Sequence, residues 1–124
     1  MSEATTTTTF TTHMDLDADR RSELVGHLNQ ILADAVDLQL QAKVAHWNVR
    51  GQHFLPQHEL FDQVHAQAVA FTDLVAERIG QLGGLAEGNV QTVAARSRLD
   101  VYGQDVVPGK EHVNRVATAL STFA

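Results

Sequence analysis

The segment "HWNVRGQHFLPQHELFDQ", residues 46–63, decides how the first half of the chain folds. Gly51 suits the left-handed conformation that ends a helix, and Pro56 suits the first turn of a following helix. The segment therefore predicts a short turn between two antiparallel helices. It also contains three of the seven histidines of the chain, together with two carboxylates. This concentration of His, Asp and Glu indicates a metal site.

Apolar residues recur at intervals of three and four on both sides of this turn, which is the spacing of an amphipathic helix. Asp17 suits the N-cap of the first helix. The helical segments predicted in this way lie at about 17–47, about 55–83, about 90–96 and after 108. Their predicted packing faces are formed by Leu24, Leu28, Ile31, Ala35, Leu38, Ala42 and Ala45, then Phe61, Val64, Ala68, Phe71, Val75, Ile79 and Leu82, then Val113, Val116, Ala117, Leu120 and Phe123. The sequence therefore predicts an all-α fold.

The composition limits the classes of protein to which the chain can belong. With 124 residues it forms one small domain, so partner subunits are expected to extend its core. It contains no cysteine, which leaves His, Asp and Glu to hold a metal, and these ligands suit iron, manganese or zinc. The net charge of -6 argues against a broadly basic surface for nucleic acids. No apolar run is long enough to span a membrane.

Residues 1–16 differ from the rest, with a run of threonines and neither Lys nor Arg. We predict a flexible tail here and a single helical domain over residues 17–124. The tail has neither the apolar stretch of a secretory signal nor the arginines of a mitochondrial presequence, so a soluble, cytoplasmic protein is expected. His13 and Met14 lie in this tail, and we assign them no role.

Four potential metal ligands of the second helix share one face. On a helical wheel His58, Asp62 and Asp73 lie within roughly 60° of one another, and Glu77 is about 100° from His58. This face is not the apolar face of the helix. However, Asp62 and Asp73 are roughly 16 Å apart along the axis, far more than one metal ion can bridge. One copy of the helix therefore cannot close a site around all four ligands.

Two antiparallel copies of the second helix remove this difficulty. The pair His58/Glu77 and the pair Asp62/Asp73 share one midpoint along the helix, and the residues around that midpoint are small. A twofold axis at this point would bring His58 and Asp62 of one chain to the two acids of the other. His46, at the end of the first helix, can join them. The predicted ligands of each of two equivalent sites are His46, His58 and Asp62 from one chain, with Asp73 and Glu77 from its mate.

Simpler interpretations of these polar residues are open as well. Carboxylates and histidines on an outward helix face are most often only solvated. His65 lies on the same face, and we interpret it as a hydrogen-bonding residue at an interface or, alternatively, as a further ligand. Trp47 is interpreted as a core or interface aromatic rather than a redox group. The histidines interpreted as surface or cap residues are His27, His53 and His112.

The segment "AKVAHWNVRGQHFLPQHELFDQVHAQAVAFTDLVAERIGQLGG", residues 42–84, resembles the Dps family, the DNA-binding proteins from starved cells, also called miniferritins. The resemblance rests on the runs HW-N-x-R-G, H-E-x-x-D and D-x-x-A-E-R, and it extends loosely through "RLDVYGQDV". It implies a ferritin-like four-helix subunit, a hollow homododecamer built from twofold dimers, and a ferroxidase site shared across each dimer. By motif position, the iron ligands it implies are again His46, His58 and Asp62 of one subunit and Asp73 and Glu77 of the other.

The resemblance also implies an activity. Members of the family oxidise Fe(II) with hydrogen peroxide, or more slowly with dioxygen, and store the ferric product as a mineral. The chain is therefore expected to be an iron-binding oxidoreductase of the stress response that protects protein and DNA from oxidation.

Two features depart from the family pattern. The tail lacks the lysines and arginines by which several members bind DNA, so little DNA affinity is expected at physiological salt. The chain also lacks the end of the third long helix and the whole fourth one, so an incomplete bundle with exposed apolar surface is expected. Either the sequence is part of a longer protein, or it is a truncated, non-catalytic miniferritin that assembles differently.

Overall fold

A computed structural model describes residues 10–12 and 16–124 of the chain. Within these residues there are four helices and no strand, so the predicted all-α fold is confirmed. The helices are α1 (Ala18–Asn48), α2 (Phe54–Gln81), the short α3 (Val90–Arg96) and α4 (Gly109–Phe123). Most of the predicted tail, with His13 and Met14, lies outside the described residues. No helix in the described part is long and apolar enough to cross a membrane.

Local signals set the ends of α1 and α2 as predicted. The carboxylate of Asp17 accepts a hydrogen bond from the backbone N–H of Arg20 at 2.8 Å and so caps α1. Gly51, in the turn, has a φ of 113°, which an L side chain rarely adopts. At the far end of the pair, Arg21 near the start of α1 donates to the carbonyl of Leu82 beyond α2. The two helices therefore run antiparallel.

The core lies between α1 and α2 and is extended by α4. The fully buried side chains include Val25 and Leu32 of α1 and Phe61 and Ile79 of α2. At the start of α1 the predicted packing face is wrong by one residue, because Leu24 is 40% exposed whereas Val25 is inaccessible. The packing face therefore begins one residue later than the spacing predicted.

The packing face of α4 also differs from the prediction. Val116 is buried as predicted, but Leu120 and Ala117 are exposed, and His112 and Ala119 are buried in their place. The apolar residues of α4 extend over two sides of the helix, and only one of these sides packs against α1 and α2. The spacing of apolar residues in this helix therefore could not predict which side is covered.

The segment between α2 and α4 crosses the bundle and is held by polar side chains of α1. Asn29 donates to the carbonyl of Leu85 and accepts from the N–H of Glu87, while Gln41 donates to the carbonyl of Asp100. The buried carboxylate of Asp34 accepts from the backbone and guanidinium of Arg98 at 2.6–2.9 Å. We use the name crossover ladder for the polar residues of α1 that hold this segment, which are Asn29, Gln30, Asp34, Asp37 and Gln41.

Candidate metal centre

His46 of α1 and His58 of α2 hold each other in place at the turn between the helices. Nδ1 of His46 lies 2.7 Å from the carbonyl oxygen of His58, and Nδ1 of His58 lies 2.8 Å from the carbonyl oxygen of His46. The two rings are stacked, with centroids 3.6 Å apart. A carbonyl oxygen only accepts hydrogen bonds, so each Nδ1 carries the proton. In the neutral ring each Nε2 then has a free lone pair, and imidazole binds a metal through such a lone pair.

Asp62 lies one turn further along α2 and already has a cationic partner. Nζ of Lys43 is 2.8 Å from Oδ1 of Asp62, and half of the Asp62 side chain is exposed to solvent. The hydrogen bond from Lys43 lowers the pKa of Asp62, and the nearby His46 and His65 lower it further. The carboxylate is therefore ionised near neutral pH, and a metal ion at this position would share it with Lys43 or displace the ammonium group.

His65 continues this arrangement by two more turns from His58. Its Nδ1 lies 2.7 Å from the carbonyl oxygen of Gln39 on α1. The partner of Nδ1 is therefore in the same chain, and a contact of His65 across an interface stays a prediction. The three contacts between α1 and α2 form what we call the seam ladder: His46 with His58, Lys43 with Asp62, and Gln39 with His65.

Asp73 and Glu77 lie apart from the seam ladder, further along α2. Both side chains are exposed, and neither takes part in a salt bridge or side-chain hydrogen bond within residues 10–12 and 16–124. Over the same residues a single chain holds no group of three or more His, Asp or Glu able to bind one metal ion. The structure thus brings His46 and His58 together beside Asp62, and it leaves the two acids free on the surface of the same helix.

The exposure of the remaining histidines and of Trp47 tests the simpler interpretations that the sequence left open. His27 is exposed, and His53 is an exposed residue at the N-cap of α2, as predicted. The interpretation of His112 as a surface or cap residue is wrong, since it is only 1% exposed. Trp47 is 63% exposed, so it is not a core residue of this chain, and its place in an interface stays a prediction.

A second polar cluster, which the sequence did not reveal, surrounds His112. Nδ1 of His112 lies 2.5 Å from the hydroxyl of Tyr102, and the guanidinium of Arg115 lies 5.4 Å from the centre of the tyrosine ring. Burial raises the pKa of Tyr102 to about 12 and lowers the pKa of His112, so both groups are neutral near neutral pH. The signal that could have revealed it is the spacing of His112 from Val116 and Ala119, which places all three on one face.

Comparisons with known proteins identify the family of the chain. The chain matches the ferritin-like domain over residues 25–120. It is 39% identical over 106 residues to the DNA protection during starvation protein of Agrobacterium fabrum, a match that covers 86% of this chain and 65% of that protein. The chain belongs to the Dps family of ferritin-like proteins.

Solved Dps structures have the same fold as this chain. DpsA14 from Streptomyces coelicolor superposes with a TM-score of 0.89 at 30% identity, over 96% of this chain and 71% of that one. Dps from Microbacterium arborescens, described in its high iron form, gives a TM-score of 0.79 at 27% identity, over 86% and 70% of the two chains. The Dps fold is therefore present over most of the described residues, although the chain spans only 65% of its Agrobacterium relative.

Proposed function

We propose that this Dps chain oxidises Fe(II) at a dinuclear site shared between two copies, with hydrogen peroxide or dioxygen as the oxidant. The observation that supports this proposal best is the reciprocal bonding of His46 and His58. It leaves two Nε2 lone pairs beside the ionised carboxylate of Asp62.

The second half of the proposed site comes from another copy of the chain. Asp73 and Glu77 are exposed on α2, and the midpoint they share with His58 and Asp62 allows a twofold axis to bring the two halves together. Large apolar side chains on the same helix support such a contact, since Leu74 is 66% exposed. Burying them against a second α2 would remove apolar surface from water. The proposed ligands of each site are His46, His58 and Asp62 of one chain with Asp73 and Glu77 of the other.

The chemistry follows from the ligand types. Three carboxylates and two imidazoles bind Fe(II) as substrate, and carboxylate oxygens stabilise Fe(III) more than Fe(II), which favours oxidation. Two ferrous ions give up one electron each. Hydrogen peroxide accepts both electrons and two protons, its oxygen–oxygen bond breaks, and two water molecules result. Because the two electrons are transferred as a pair, no hydroxyl radical is released.

Storage of the ferric product is the remaining part of the proposal. A homo-oligomer built from twofold dimers, and a dodecamer as its complete form, would enclose the product as a mineral. The high iron form of the Microbacterium relative supports iron as the cargo of this fold. Removal of ferrous iron and peroxide would protect DNA without contact, and the acidic net charge of -6 disfavours direct binding. A gel-shift assay over a salt series measures any direct binding.

The shared site has a distinctive test by complementation. His58→Ala and Asp73→Ala each remove a ligand from both sites of a dimer, so each variant alone should oxidise Fe(II) at least about 100-fold more slowly than the native chain. When the two variants are unfolded, mixed equally and refolded, half of the dimers contain one chain of each type. One of the two sites in such a dimer is intact, so about a quarter of the native rate should return.

The control is the double variant His58→Ala/Asp73→Ala refolded with each single variant, which restores no intact site and should restore no activity. Ferric absorbance after addition of Fe(II) and peroxide measures the rates. Native-like rates in either single variant, or a mixture as inactive as its components, would contradict the shared site.

A non-catalytic miniferritin is the second candidate, and one observation favours it. Lys43 already neutralises Asp62 in the described chain, so one proposed ligand is occupied without any metal. Size-exclusion chromatography with light scattering separates the two candidates. A monodisperse dimer or shell that binds iron supports the ferroxidase, whereas a monomer that binds none supports the non-catalytic form.

A further inference from the structure

The contact between His65 and Gln39 in the seam ladder has no role in the proposed dinuclear site. His65 donates from Nδ1 to the carbonyl of Gln39 at 2.7 Å, which leaves its Nε2 with a free lone pair. His46 and His58 are fixed in the same tautomer by the same kind of bond. The chain therefore anchors three imidazoles, not two, along the contact between α1 and α2.

Asp62 and Gln39, next to His65 in the seam ladder, both carry an oxygen that has no hydrogen bond among the described residues. Asp62, three residues earlier on α2, is ionised, and only one of its oxygens is bonded to Lys43. Gln39, which anchors His65, has a buried side-chain Oε1 with no donor among the described residues. A neutral imidazole offers Nε2 as a further acceptor. The Nε2 of His65 and the second oxygen of Asp62 are therefore both open to a cation.

We propose that His65 binds a further divalent transition-metal cation, beside the dinuclear site, with Asp62 as a ligand shared between the two. The position rests on the proposed twofold contact, in which Asp73 of the second copy lies about 4.5 Å along the helix axis from His65 and can complete the ligand set. Imidazole and carboxylate together suit Fe(II), Co(II) and Zn(II). The seam then holds an additional ferrous ion next to the pair that is being oxidised.

The test is an anaerobic Co(II) titration of the native chain and of His65→Asn. An asparagine amide can still donate to the Gln39 carbonyl, but it has no atom at the position of Nε2. Co(II) is followed by equilibrium dialysis and by its visible absorption. We expect His65→Asn to bind one Co(II) fewer per chain than the native protein. The matched control is His27→Asn, an exposed histidine of α1, which should bind as much Co(II) as the native chain.

A second variant separates this inference from the proposed function. A loss of Co(II) in His58→Asn but not in His65→Asn overturns the further cation position and leaves the dinuclear site standing. A loss in His65→Asn but not in His58→Asn supports the position at His65 and contradicts the dinuclear site.

A measurement on the native protein covers the case in which His65→Asn does not fold. Zn(II) should shift the ¹⁵N resonance of His65 Nε2 and leave that of His27 unchanged. The absence of this shift at saturating Zn(II) overturns the inference.

Discussion

The two polar ladders both join α1 to another part of the chain, but they differ in how completely their polar groups are hydrogen-bonded. In the crossover ladder, Asp34 is hydrogen-bonded to Arg98, and Asn29 and Gln41 are hydrogen-bonded to backbone groups. The seam ladder uses similar bonds, yet each anchored imidazole keeps an unused lone pair. A polar group that is hydrogen-bonded within the chain stabilises the fold, whereas an anchored ring with an unbonded nitrogen is open to a ligand. We therefore expect the first ladder to stabilise the fold and the second to serve the proposed function.

The largest expected effect comes from breaking the seam ladder at His58. His58→Ala should reduce peroxide-dependent Fe(II) oxidation by at least about 100-fold, because it removes a metal ligand and also frees the His46 ring. The free energy of unfolding should change by only about 1–2 kcal/mol, since partly exposed hydrogen bonds are lost. Oxidation kinetics and urea denaturation measure the two quantities. If stability falls greatly while the rate per folded chain is kept, the seam ladder is architectural after all.

The opposite result is expected from breaking the crossover ladder. Asp34→Ala removes a buried carboxylate that accepts several bonds from Arg98, and it should lower the free energy of unfolding by about 3 kcal/mol. Co(II) binding per folded chain should be unchanged. Asp100→Asn is the control, because the Asp100 side chain is exposed, and it should change stability by less than about 0.5 kcal/mol. A loss of metal binding in Asp34→Ala under native conditions would show that the two ladders are coupled.

Replacement of Lys43 should have a smaller effect, and it should strengthen metal binding rather than weaken it. Lys43→Met removes the cation that competes with a metal for Asp62. Exposed ion pairs are weak, so Co(II) should bind only up to about fivefold more tightly. Lys110→Met, an exposed residue of α4, serves as the control. Isothermal titration measures both affinities. Weaker binding in Lys43→Met would mean that the ammonium group positions Asp62 for the metal instead of competing with it.

The smallest expected effect concerns His112, which belongs to neither ladder. Burial lowers its pKa in the folded chain below the usual 6.5. At pH values between the lowered pKa of the folded chain and 6.5, the unfolded chain binds more protons than the folded one. The free energy of unfolding should therefore fall as the pH is lowered below about 6.5. His112→Asn should weaken this dependence, and His27→Asn should not. Urea denaturation at several pH values measures it, and identical pH profiles for the native chain and His112→Asn would contradict the assignment.

The ends of the helices could be predicted from the sequence because their causes are local. Asp17 caps the residues immediately after it, and Gly51 and Pro56 act within a few residues of the turn. The face of α2 that carries His58 and Asp62 follows from helix geometry alone. These features need no knowledge of what the chain packs against.

The ladders could not be predicted, for a physical reason. Asn29 and Gln30 bond to backbone carbonyls 56 and 66 residues away, and every residue type offers the same carbonyl. The anchoring of His46 by the carbonyl of His58 is invisible in the sequence for the same reason. The shifted face of α4 depends on which of its two apolar sides is covered, and that too is decided by distant parts of the chain.

The pairing of Lys43 with Asp62 has a consequence for the order of assembly. Two copies of α2 that meet without metal would bring six carboxylates together, and the mutual repulsion of these charges would oppose the contact. The ammonium groups of the two Lys43 residues offset two of those charges before any iron arrives. We therefore expect the proposed dimer to form before ferrous ions bind, so that its assembly does not depend on the supply of iron.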